Sequence, residues 1–355
     1  MKLSHTCAAV LLSLGLFAAP LSSSAAISMD IQQVLQEERA WAGLTTKTLK
    51  VPYGEAGASV EWAYSEGGDP SKPTVMLVHG LSGSRDNWNR VARYLTPHYR
   101  VIIPDLPAPG DTKAPADFDL QLPNMVEALR RFAEAGNFNK NMHIAGHSLG
   151  GAMSVLYTSL YFMDTQSLLL VNTAGVYEKT ESPYLKDPTQ LRNIIVKQSG
   201  DFAKVLKIAM HTPPFIPAGL LKEQEQLMIK NSANTSKVIE RLIELYGFYT
   251  PDTFRTALRA IEAPTQIIWG DKDAIIDVGV LPELTENLKN EEPPVVLKNI
   301  GHTPILEAEQ LVVQAPVLFR ERTKAAFLAA VQKVIDNPAV TARYSSERVS
   351  ETNAV

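Results

Sequence analysis

The sequence predicts an α/β protein, with a mostly parallel central sheet flanked by helices and a helical insertion. Three observations carry that expectation. Short, continuous apolar runs recur at 74–78 (TVMLV), 100–104 (RVIIP), 142–145 (MHIA), 167–171 (SLLLV), 265–269 (TQIIW) and 294–297 (PVVL). Runs of that length without polar alternation suit strands buried on both faces, as in a parallel sheet. Amphipathic helical patterns lie between the early runs, and strands alternating with helices indicate α/β architecture. Finally, residues 178–262 contain no strand pattern and several helical ones.

In chain order, residues 27–50 read as a helical lead-in, with Ile31, Val34, Leu35 and Trp41 on a loose helical period. In 123–136, Met125, Val126, Leu129, Phe132 and Ala133 fall on one helical face. A helix at 149–162 follows the third run directly. The strandless stretch reads as helices at 191–197, 202–210, 220–230, 237–246 and 253–261, punctuated by Pro213, Pro214 and Pro217. Inserted before the sheet resumes, it is expected to cap the carboxyl edge of the strands, where open α/β sheets bind ligands. Residues 337–355 are polar and expected to fray. There is no internal repeat.

Composition excludes several classes. The 355 residues are 45% apolar, too apolar for a disordered chain. A net charge of −4 argues against a nucleic-acid binder. The single cysteine, Cys7, forbids an internal disulfide and Cys-rich zinc modules. It lies in an unusual segment: Met1-Lys2, an apolar stretch from Ala8 to Leu21, then Ser22-Ser23-Ser24-Ala25-Ala26. This reads as an export signal at 1–26, cut near Ala26, with a secreted or periplasmic product. The competing reading is an uncleaved anchor in the inner membrane, although the 14 apolar residues fall short of the roughly 20 that a membrane span needs. Residues 27–355 then form one domain, with the cap at about 178–262.

The strongest chemical signal is Gly146-His147-Ser148-Leu149-Gly150, a G-x-S-x-G pattern between a predicted strand and a predicted helix. Such a turn exposes the Ser148 hydroxyl at a helix N-terminus, whose dipole favours developing negative charge. A serine hydroxyl needs a base. His302, in the loop after the last apolar run, is the best candidate. His143 and His147 sit too close to the turn, His98 lies in a polar connection, His211 lies in the insertion, and His79 is expected to brace a loop. The base needs an orienting acid. Asp273 and Asp271 both follow the fifth run, and spacing alone does not choose between them. The end of the preceding strand carries Asn172, whose amide cannot stabilise an imidazolium. Oxyanion donors are expected at the N–H of Leu149 and, from the loop after the first run, Leu81, with Ser82 as the alternative.

With His79-Gly80, Asp86-Asn87-Trp88, Ile103-Pro104-Asp105-Leu106, Gly146 to Gly151, Trp269 to Asp273 and Gly301-His302 in this order, the chain resembles the α/β-hydrolase family over roughly 70–335. Within it, the stretch from His79 to Trp88, the stretch from Trp269 to Asp273 and the segment around Pro213 to Pro217 are most similar to bacterial lipases of the cold-active Moraxella/Psychrobacter type. The resemblance implies Asp273 as the acid, ester hydrolysis through an acyl-enzyme, and neither cofactor nor metal. One departure is Leu106-Pro107-Ala108-Pro109-Gly110, where the family usually has Leu-Pro-Gly-x-Gly. It bears on substrate fit beside the site. The expected activity is that of a lipase or carboxylesterase acting on lipid or other acyl esters, in contact with a lipid interface. The apolar insertion residues Val205, Leu206, Ile208, Ala209, Met210, Phe215, Ile216, Leu220 and Leu221 favour an acyl chain. Rival readings are a membrane-anchored phospholipase A or lysophospholipase and, more remotely, a non-catalytic ligand receptor. Serine relatives that split carbon–carbon bonds or act as haloperoxidases also stay open.

Overall fold

The computed structural model describes residues 30–54, 57–108 and 110–313; the expected leader and polar tail lie outside them. The helical lead-in is only partly realised. Helix α1 (Ile31–Trp41) starts at an Asp30 cap and stops where strand β1 (Leu44–Pro52) begins. β1 and β2 (Ser59–Gly67) pair antiparallel over nine residues. The six apolar runs become β3 (Thr74–Val78), β4 (Arg100–Pro104), β5 (Met142–His147), β6 (Thr165–Val171), β7 (Thr265–Gly270) and β8 (Val295–Leu297). Sheet order is β1-β2-β4-β3-β5-β6-β7-β8, with β2 antiparallel to β4 and every later pairing parallel.

The apolar runs are continuous because successive side chains enter different cores. In β3, Met76 and Val78 face one core and Val75 and Leu77 the other; β6 divides Leu168 and Leu170 from Leu169 and Val171 in the same way. One core is closed by α3 (Leu122–Ala135) through Met125, Val126, Leu129 and Phe132, and by α4 (Leu149–Leu160) through Met153 and Val155. The other is closed by α2 (Asn89–Leu95), which follows a 3-10 turn at Arg85–Trp88.

Between β6 and β7 the chain is helical, as the pattern predicts. It forms α5 (Pro183–Lys186), a 3-10 segment (Pro188–Ile194), α6 (Asp201–Ala209), α7 (Ala218–Lys230), α8 (Ser232–Phe248) and α9 (Pro251–Arg259). These helices differ in role. α9 buries Phe254 and Leu258 in the main core and packs on α4, whereas α6 has no fully buried residue. After β7 come α10 (Leu281–Thr285), β8, α11 (Pro304–Glu307) and α12 (Glu309–Val313). Among the described residues, no helix is long and apolar enough to cross a membrane.

Candidate active site

β5 runs directly into α4 with only Ser148 between them, at φ 54° and ψ −120°. That conformation is sparsely populated for a residue with a Cβ and persists only where surroundings enforce it. Here the Ser148 N–H donates to the Val171 carbonyl at 3.1 Å, and its own carbonyl accepts from Gly151 at 2.8 Å and Ala174 at 2.9 Å. Glycine is required at two neighbouring positions. A Cβ on Gly146 would strike the Gly150 carbonyl, and one on Gly150 would strike the Val78 carbonyl of β3. Their absence lets the first turn of α4 sit on the sheet, with the Ser148 hydroxyl at its N-terminus.

His302, in the loop after β8, lies with Nε2 2.9 Å from Ser148 Oγ and Nδ1 2.8 Å from Asp273 Oδ2. A carboxylate offers no proton, so Nδ1–H donates to Asp273 and Nε2 is left to accept from the serine hydroxyl. Asp273 is fully satisfied. Its Oδ1 accepts the N–H groups of Ile275 and Ile276 at 2.8 and 2.9 Å, and its Oδ2 also accepts Asn172 Nδ2 at 2.7 Å. Asp271, left open by spacing, turns elsewhere and accepts the Asn299 N–H at 2.6 Å.

The remaining histidines have other partners. His147 donates from Nε2 to the His302 carbonyl at 2.7 Å. Burial first, and the neighbouring His302 second, push it down to about 3, so it stays neutral. His79 accepts the Leu106 N–H on Nε2 at 2.9 Å, leaving Nδ1–H to donate to the Gly80 carbonyl at 2.9 Å. Burial holds His79 below the usual range, and the ring braces two loops as the sequence suggested. His143 contacts Ser167 Oγ at 2.7 Å, and His98 and His211 are exposed. Leu149 opens α4 beside Ser148. Leu81 lies on the 79–84 turn, which packs so closely on the elbow that a Cβ on Gly80 would sit 3.0 Å from Ser148 Cβ.

A groove of about 470 Å³ opens in the insertion, with Leu206, Met210, Phe215, Ile216 and Leu221 among its lining. Five of the nine apolar residues expected to favour an acyl chain therefore line it, while Ile208 and Ala209 pack against the main core. The groove starts one residue from Ala209, whose carbonyl accepts the His302 N–H at 2.8 Å. A second cavity, of about 570 Å³, lies between α9 and α10. It is lined by charges that pair with one another around Arg255, and neither Ser148 nor His302 reaches it.

Sequence reasoning missed three supports. The sequence offers Asn172 only as an amide unfit to be the acid, yet its side chain donates to the Asp273 carboxylate. Glu307 was not singled out. The pairing of Arg85 with Asp105 was not foreseen, although both residues lie in stretches that carry the family resemblance.

Comparisons with known proteins agree with this architecture. A family model described as alpha/beta hydrolase fold matches residues 73–309. The chain is 30% identical to Lipase 1 of Psychrobacter immobilis over 315 residues, 87% of this chain and 94% of that one. It superposes on the crystal structure of a candidate lipase from Acinetobacter baumannii AYE with a TM-score of 0.79 and 50% identity, covering 88% of this chain and 99% of that one. The crystal structure of a membrane phospholipase A, described as a bacterial virulence factor, gives a TM-score of 0.74 and 31% identity over 85% and 91%. The chain belongs to the α/β-hydrolase family.

Proposed function

We propose that this protein is a serine ester hydrolase, a lipase or carboxylesterase that cleaves acyl esters of lipids through an acyl-enzyme intermediate. The observation that carries this reading is the continuous hydrogen-bond chain from Ser148 Oγ through His302 to Asp273, at 2.9 and 2.8 Å, starting on a strained elbow. Ser148 attacks the ester carbonyl while His302 Nε2 takes its proton, and Asp273 holds the ring and stabilises the imidazolium. The N–H groups of Leu149 and Leu81 receive the oxyanion. His302 passes the proton to the leaving alcohol. It then takes a proton from water, whose oxygen attacks the acyl-enzyme carbonyl, and returns that proton to Ser148 Oγ as the acyl–Oγ bond breaks and the acid leaves. The lipase relatives and the apolar groove support a lipid ester as substrate. In this reading residues 27–355 form one catalytic domain, its inserted helices capping the site, and residues 1–26 direct export; sequencing the amino terminus of the exported protein tests the cleavage.

Ser148→Ala is expected to abolish hydrolysis of p-nitrophenyl butyrate and labelling by a fluorophosphonate; full activity in that variant sinks the reading. A second reading, phospholipase A activity, is favoured by the likeness to the membrane phospholipase A. A panel of triglyceride, monoester and phospholipid separates the two.

A further inference from the structure

We propose that Glu307 is a positioning residue that braces the loop carrying His302 against the wall of the apolar groove, so that one carboxylate contributes to both base placement and acyl-chain selection. The inference rests on the ester-hydrolase reading above. Glu307, the last residue of α11, lies five residues after His302. Its carboxylate gathers backbone donors from two separate stretches of chain. On the base loop it accepts the Gly301 N–H at 3.1 Å from both oxygens, the Thr303 N–H at 3.4 Å and the Thr303 hydroxyl at 3.3 Å. On the insertion it accepts the N–H groups of His211 and Thr212 at 2.9 and 2.8 Å. His302 is thus flanked on both sides by residues tied to Glu307, and His211 and Met210 line the groove.

Further contacts close the same junction without the carboxylate. The His302 N–H donates to the Ala209 carbonyl at 2.8 Å, the Thr212 hydroxyl donates to the Asn299 carbonyl at 2.9 Å, and a Cβ on Gly301 would lie 2.7 Å from the His211 nitrogen. Base loop and groove wall therefore meet backbone to backbone. Neither stretch belongs to the sheet, so no strand ladder fixes their separation. Four N–H groups converging on one spot would repel, and an anion there converts that repulsion into a joint. A groove wall displaced by losing this joint carries His302 with it through Ala209. A bound acyl chain that presses on the wall is likewise felt at the base.

Glu307→Ala, Glu307→Gln and Glu307→Asp, made in the full chain, test this with p-nitrophenyl acetate, butyrate and laurate. Rates are divided by sites counted with a fluorophosphonate, so that loss of folded protein drops out. The expected result for Glu307→Ala is a fall in kcat per labelled site of about tenfold on butyrate, the loss expected when hydrogen bonds to a charged group are removed. It is also expected to show a change of about threefold or more in the laurate-to-butyrate ratio of kcat/KM. Glu307→Asp keeps the charge and recovers part of both; Glu307→Gln, which turns an amide N–H₂ toward N–H donors, recovers less. A merely structural role would lower the number of labelled sites and leave kcat per site and the chain-length ratio within twofold of wild type, and that outcome overturns the proposal. Should Glu307→Ala yield no folded protein, Glu307→Gln decides by the same two readings. Wild-type chain inactive on every ester overturns both this inference and the reading it rests on, whereas active wild type with flat Glu307 variants overturns this one alone.

Discussion

Among the described residues, seven non-glycine residues take a positive φ, and five of them leave the carboxyl ends of parallel strands: Ser82, Ala108, Ser148, Asn172 and Asn299, with φ between 42° and 59°. Each costs on the order of 1 kcal/mol, and such strain gathers where function needs a backbone aimed rather than relaxed. Ala108 is notable because it stands where the family has glycine. Asn172 is the residue whose side chain justifies the strain most directly. Turned back at the end of β6, it donates to Asp273 Oδ2 and to the Gly301 carbonyl at 3.3 Å and accepts the Gly270 N–H at 3.3 Å, joining the strand ends beside Asp273. Asn172→Gly keeps the conformation and removes all three contacts. A hydrogen bond to a charged group contributes about 1.5–3 kcal/mol, so kcat on p-nitrophenyl butyrate should fall about tenfold or more; an unchanged kcat would show that Asp273 is held by Ile275 and Ile276 alone. At this scale the sequence named Ser148, His302 and Asp273 as candidates from motif, order and resemblance. It did not expose Asn172 or Glu307, because a side chain that acts by holding another has no pattern of its own.

At the scale of elements, the loops after β3 and β4 are bound together by buried charge. Arg85, in the 3-10 turn, pairs with Asp105, which also accepts the Arg85 N–H at 2.7 Å, and reaches Asp111 at 2.9 Å; both side chains of the Arg85–Asp105 pair are almost fully buried. Arg85 keeps Asp111 when Asp105 is removed, but removing Arg85 leaves the Asp105 carboxylate buried without a counter-charge, which costs about 3–5 kcal/mol. Arg85→Met is therefore expected to destabilise by that much in urea unfolding, and Arg85→Met with Asp105→Leu by clearly less, since neither charge then remains. Equal losses in the single and double variants would contradict this account. α6 illustrates a gentler device: Glu225 of α7 accepts the Gly200 and Phe202 N–H groups at 2.7 and 3.2 Å and so caps a helix that buries no residue fully. The strands missed in the sequence, β1 and β2, have a physical reason for being hidden. β1 exposes or half-exposes most of its residues at the sheet edge and reads LTTKTLKVP, without an apolar run. β2 mixes Trp62 and Tyr64 with Glu61, Ser65 and Glu66, and Glu66 is paired in place with Lys47 of β1 and Arg100 of β4, at 2.8 Å each. Only the pairing partners make such a strand stable.

For the whole molecule, the sheet separates two cores, and the chemistry sits above both at one edge. Burying histidines there has a consequence for acid stability. Folded, His147 takes a proton only near pH 3, against 6.5 ordinarily, and His79 is shifted in the same direction. Above pH 6.5 neither state is protonated and the neutral rings cost nothing extra. As pH falls from 6.5 toward 3 the unfolded chain binds protons that the folded chain refuses, so stability is lost, at up to about 1.4 kcal/mol per pH unit for one such histidine. Tm should therefore fall across that window, and His147→Gln, which keeps an N–H near Nε2, should flatten the slope; parallel Tm curves for the two proteins would argue against it.

The sequence by itself determined the class of fold, because strands buried on both faces must be continuously apolar, and helices covering them must be amphipathic. It also determined which serine, histidine and aspartates could do chemistry, because G-x-S-x-G and the chain order survive in one dimension. Spacing leaves Asp273 and Asp271 open and resemblance favours Asp273, whose carboxylate the tertiary structure places against His302; only that structure decided that α9 belongs to the core while α6 does not, and that the base loop is tied to the groove through Glu307. Those outcomes depend on contacts between residues tens to hundreds of positions apart, or on which way a short loop turns, and neither leaves a period or spacing to read.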